Sequence, residues 1–128
     1  MNLKKIHHVA IIGSDYEQSK HFYADLLGFR IIRENHRPER QDWKIDLQLD
    51  DCELELFIKP DCPPRPQYPE PETSGLRHLA FRVESVEQTA AELNRLGIVT
   101  EPIRTDDFTG EKMTFFHDPD GLPLEIHE

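Results

Sequence analysis

Four side chains stand out as a set that could do chemistry: His8, Glu55, His78 and Glu125. The separation from His8 to Glu55 equals that from His78 to Glu125. In each half a histidine opens an alternating apolar run, and the glutamate sits inside a second one. A lone histidine at the start of a strand is usually structural. A glutamate in mid-strand is harder to dismiss, because Glu is disfavoured there and is seldom buried without a partner. Two of them in matching places need a shared reason. A divalent cation supplies it: it stabilises carboxylates that would otherwise repel, and neutral imidazoles complete its shell. Two His and two carboxylates suit Ni²⁺, Zn²⁺, Fe²⁺ or Mn²⁺ and leave positions open for water or substrate oxygens. One divalent ion per chain is therefore expected.

Other candidates are weaker. Strand period assigns His7 to the face opposite His8, His21 falls on a helix, and His36, His117 and His127 have no repeat partner. Glu53 aligns with Pro123 in the second half, which marks it as a solvated rim residue. Lys44, Arg82 and Lys112 are expected to face the same cleft and could hold an anion; ordinary surface cations would look the same.

The elements that must carry these residues follow from local patterns. Residues 6–12 read as a strand with His8, Ala10 and Ile12 on one face and Val9 and Ile11 on the other. Ser14 and Glu17 have the form of a capping box, and Tyr16, Ser19, Phe22, Tyr23, Leu26 and Leu27 form the apolar stripe of a helix that Gly28 ends. Strands are expected over 30–33, 43–49 and 52–58, with Asp50-Asp51 as a two-residue turn. That turn pairs Asp46 with Glu55 and puts Lys44, Asp46, Gln48, Glu53 and Glu55 on one polar face, leaving the apolar face for the helix. Residues 60–75 are rich in proline and read as an extended linker. The order then repeats: a strand over 76–83, a helix capped by Ser85 with Gln88 and closed by Gly97, and strands over 98–104, 112–116 and 122–127. Asp118 to Gly121 is the last turn, and the register it implies sets Glu125 opposite Thr114. The less polar surroundings expected for Glu125 make it the candidate for proton transfer, with Glu55 the more structural ligand.

The chain is thus one α+β domain, 1–128, made of two β-α-β-β-β modules, 4–59 and 76–128, joined by the linker. Its 128 residues carry 25 acidic against 15 basic side chains, a formal net charge of −10 with the cations scattered. Such a surface repels phosphate backbones and anionic membranes, so neither nucleic acid nor membrane is an expected partner. No leading apolar segment is seen, and a cytoplasmic location is expected. Cys52 and Cys62 form no C-x-x-C pair and are expected to be free thiols.

With these residues in view, the chain resembles the vicinal oxygen chelate superfamily, which includes glyoxalase I, methylmalonyl-CoA epimerase, extradiol dioxygenases and fosfomycin- and bleomycin-resistance proteins. The resemblance rests on His7 to Ile11, Phe22 to Phe29, Leu54 to Phe57, Arg77 to Phe81 and Asp118 to Ile126. It implies an open, eight-stranded, barrel-like mixed sheet with helices on its convex side and a metal on the concave side, held by His8, Glu55, His78 and Glu125. It also implies a glyoxalase-like lyase or isomerase acting on a small substrate that chelates the ion through neighbouring oxygens, with Glu125 or Glu55 as base. A homodimer is the expected assembly. A non-catalytic small-molecule binding protein and an Fe-dependent dioxygenase are the alternatives. Bacterial glyoxalase I carries an arginine and an asparagine for glutathione where this chain has Ile12 and Lys59, so the resemblance does not cover those two positions and leaves the use of glutathione open.

Overall fold

The computed structural model describes residues 1–66 and 71–128, which fall into two compact units, Met1–Pro64 and Arg65–Glu128. The boundary lies inside the expected linker, whose described part carries neither helix nor strand; residues 67–70 of that linker lie outside the described residues. The fold is α+β, with one four-stranded mixed sheet in each unit.

In the first unit the strands are β1 (His8–Gly13), β2 (Arg30–Arg37), β3 (Asp42–Leu49) and β4 (Cys52–Ile58), ordered β1-β4-β3-β2. β1 runs parallel to β4, and the other pairs are antiparallel. The two-residue turn Asp50-Asp51 closes the β3–β4 hairpin in the expected register, with Asp46 opposite Glu55 and Leu47 opposite Leu54. Ile45, Leu47, Leu54 and Leu56 are buried on one face. Helix α1 (Tyr16–Lys20) and its π-helical continuation (His21–Leu26) bring Phe22 and Tyr23 into the same core. Tyr16 packs on Trp43 of that face, ring centroids 4.8 Å apart.

The N-cap differs from the expectation. Asp15, not Ser14, has the extended cap backbone, and its carboxylate accepts the Gln18 N–H at 2.8 Å. Asp caps as well as Ser, and the chain leaves β1 one residue later than the pattern suggested. β2 is also longer than expected, and a bulge between Ile31 and Arg33 shifts its register so that Arg33 lies opposite Asp46.

The second unit repeats the plan with β5 (Leu79–Arg82), α2 (Val86–Arg95), β6 (Arg104–Thr105), β7 (Lys112–His117) and β8 (Pro123–His127), ordered β5-β8-β7-β6. Again the first strand is parallel to the last, with Ala80 opposite Glu125 as Ala10 is opposite Glu55. Ser85 caps α2 as expected, accepting the Gln88 N–H, and Val86, Ala90 and Leu93 are buried with Phe116, Leu124 and Ile126.

Two expectations fail here. The strand expected over 98–104 survives only as the two residues of β6. Pro102 has no N–H for a ladder, and the segment is instead tied by the Glu101 N–H to Phe115 O at 2.8 Å and by Thr114 Oγ1 to Glu101 O at 2.7 Å. The β7–β8 connection is also one residue longer than assumed. Leu122 belongs to the loop, its N–H bonded to the Asp118 carboxylate at 2.8 Å, and His117 pairs with Pro123. Glu125 consequently lies opposite Phe115, not Thr114.

Candidate metal centre

The first parallel ladder places His8 and Glu55 on one face of its sheet. In the second, Glu125 lies in the ladder and His78 is the residue immediately before β5, placed beside Glu125 by the contact between their side chains. Residues directly opposite in a ladder point to the same side, as do alternate residues along a strand. Ala10 is opposite Glu55 and His8 precedes it by two; Ala80 is opposite Glu125 and His78 precedes it by two. The imidazole therefore reaches the carboxylate diagonally. His8 Nε2 lies 3.7 Å from Glu55 Oε2, and His78 Nε2 lies 2.8 Å from Glu125 Oε2. The expected side chains thus form two pairs, one within each unit. Among the described residues, no third His, Cys, Asp or Glu joins either pair to make a larger ligand group within a unit.

The pairs differ in their surroundings. Glu55 Oε1 accepts a hydrogen bond from Lys44 Nζ at 2.8 Å, and Lys44 also stands 2.9 Å from Asp46 Oδ1. Asp46, expected on an open polar face, is 1% exposed, because Arg33 closes over it with Nε 2.8 Å from Oδ2. Burial pushes the Asp46 carboxyl up, but Lys44 and Arg33 together outweigh it and hold the group below its ordinary value. Hydrogen bonding to Glu55 likewise raises the Lys44 ammonium. Glu125 lies in an apolar setting: it is 5% exposed, opposite Phe115, whose ring meets the His78 ring edge-on at 5.1 Å.

A model of the Glyoxalase/Bleomycin resistance protein/Dioxygenase superfamily matches residues 5–126. The chain belongs to this superfamily. It is 55% identical to the Bacillus subtilis (strain 168) protein YwkD over 129 residues, spanning 100% of this chain and 99% of that protein. It is 47% identical to YaeR of Escherichia coli (strain K12), spanning 100% and 98%. A solved structure of a glyoxalase family protein from Enterococcus faecalis is similar at a TM-score of 0.93 with 61% identity, covering 100% of both chains.

The donor atoms fit a metal of the kind that members of this superfamily typically bind. Two ligands at about 2.0–2.2 Å from one first-row ion, subtending about 90–110°, stand about 2.8–3.6 Å apart. The His78–Glu125 separation, 2.8 Å, lies at the lower end of that range, and the His8–Glu55 separation, 3.7 Å, lies just beyond its upper end.

The sequence patterns missed some of the site. His7 does not stand apart from His8: their Nδ1 atoms are 2.9 Å apart. β1 begins only at His8, so the strand period that separates their faces does not govern His7. The contact occupies His8 Nδ1 and leaves Nε2 toward Glu55, the outer-shell arrangement that orients a metal-binding imidazole. Arg33 was hidden by its bulge. Lys112, expected in the cleft, sits on the other face of β7, because Phe115 and Met113 are the residues opposite Glu125 and His127. There it pairs with Glu87 of α2.

Proposed function

We propose that this superfamily member is a metal-dependent, glyoxalase-like lyase or isomerase in which His8, Glu55, His78 and Glu125 hold one divalent ion and the two units act as a single domain. The observation that carries this reading is a His–Glu contact in each unit, with the glutamate opposite Ala10 in one ladder and opposite Ala80 in the other. A structural ion pair has no need of the duplication, and a carboxylate as buried as Glu125 needs a cationic partner.

A divalent ion held by these residues would act as a Lewis acid toward two neighbouring oxygens of a small substrate. Glu125 is the group suited to move a proton at the carbon beside the substrate carbonyl. It is 5% exposed, opposite Phe115, and no Lys or Arg forms an ion pair with it among the described residues. Glu55, with one oxygen held by Lys44, is suited to stay in place. Nickel, zinc, iron and manganese all suit the donor set.

The test is elemental analysis of protein purified without chelator, followed by solvent deuterium exchange into candidate 2-oxo substrates with and without the metal. Stoichiometric metal with metal-dependent exchange supports the reading. Metal without exchange would make the protein a binding protein, and oxygen consumption with iron would make it a dioxygenase.

A further inference from the structure

Of the three cations expected in the cleft, two already have carboxylate partners: Lys44 with Asp46 and Glu55 on the cleft face, and Lys112 with Glu87 on the other face of its sheet. Arg82 is left. It is exposed, and among the described residues it makes no hydrogen bond and no ion pair. It shares the ligand face of the second sheet, since it follows Ala80 by two and stands opposite His127, as Ala80 stands opposite Glu125. Successive residues on one face of a strand are roughly 6.6 Å apart, so the guanidinium is rooted one such step beyond the His78–Glu125 pair.

Arg82 borders an open cavity of about 300 Å³, together with Ala80, Phe81, Glu111, His127 and Glu128. Its other charged groups are already held. Glu128 Oε1 accepts the Val86 N–H at 3.1 Å at the start of α2. His127 Nδ1 lies 2.8 Å from the Glu128 carbonyl and 3.5 Å from Glu111 Oε2. A guanidinium presents a planar fork that matches a carboxylate. Two acidic side chains on the same rim oppose a doubly charged phosphate more strongly than a singly charged carboxylate.

We infer that the Arg82 cavity is a subsite for a second carboxylate of the substrate, which makes the substrate a small dicarboxylic acid whose chelating oxygens and far carboxylate are about one two-residue strand step apart. The inference rests on the proposed metal reading, because the His78–Glu125 pair fixes the near end. The length matches a five-carbon 2-oxo diacid.

The experiment compares 2-oxoglutarate with 2-oxopentanoate, which has the same chain without the far carboxylate, by calorimetric titration of the metal-loaded protein. The diacid should bind at least tenfold more tightly, Arg82→Ala should bring the ratio of affinities close to one, and Arg82→Lys should restore part of it. Equal affinities in the parent protein, or a ratio unchanged in Arg82→Ala, would overturn the inference. If the protein takes up no metal, the proposed function fails separately, and the subsite is read on chelator-treated protein by following the Arg82 Nε–H resonance while titrating glutarate. A saturable shift there supports the subsite, and no shift overturns it.

Discussion

His78 Nε2 stands 2.8 Å from Glu125 Oε2, while the corresponding atoms of His8 and Glu55 are 3.7 Å apart. Ala10 stands opposite Glu55 as Ala80 stands opposite Glu125, but His8 is itself paired in β1 whereas His78 precedes β5, and the neighbours of the two carboxylates differ as well. Lys44 holds the other oxygen of Glu55, whereas among the described residues Glu125 forms its one ion pair with His78, whose ring packs edge-on against Phe115.

Metal retention should depend on both histidines. His8→Ala and His78→Ala are each expected to remove most of one bound divalent ion per chain, read by elemental analysis after desalting. Stoichiometric metal in the double variant would reject the assignment.

The two glutamates should not be equivalent. At equal metal occupancy, Glu125→Gln is expected to lower turnover by about 10²-fold or more, the usual scale of a lost general base, and Glu55→Gln by much less. Equal losses, or a greater loss at Glu55, would reverse the roles.

Acid stability should report on Asp42. This residue is 2% exposed and is gripped by Arg37, with Nε–Oδ1 at 2.7 Å and a second bond at 2.6 Å, and by Lys59 at 3.0 Å. The Arg37 contact, joined by Lys59 and opposed by desolvation, lowers its carboxyl from 3.8 to about 2. Because the folded value lies below the unfolded one, the stabilisation is present above pH 3.8 and is lost as pH falls toward about 2. Thermal melts across this range should show an acid limb that Asp42→Asn flattens. An unchanged limb in that variant would remove Asp42 as its cause.

Close packing of α1 on β1 should make Gly13 intolerant of a methyl group. A Cβ there would lie 2.5 Å from Ser19 Oγ and 3.2 Å from Ile58 Cδ1. Gly13→Ala is expected to destabilise by about 1–3 kcal/mol in urea melts, as overpacking does. Adding Ser19→Ala should recover part of the loss, since it removes the nearer clash; no recovery would place the strain elsewhere.

Local pattern determined much of this protein. The His8/Glu55 and His78/Glu125 pairs, the β3–β4 register and the Ser85 cap all follow from side-chain alternation, turn length and cap chemistry within short stretches. Features that depend on where distant segments align were decided only by the tertiary structure. The bulge beside Ile32 carries Arg33 over Asp46 and buries it, and no local signal in Arg30 to Arg33 marks that shift. One extra loop residue, Leu122, moves Glu125 from Thr114 to Phe115, because side-chain direction has period two and a one-residue slip exchanges the faces. The same slip carries Lys112 to Glu87 on the helix side and leaves Arg82, of the three cations expected in the cleft, as the one with no partner among the described residues.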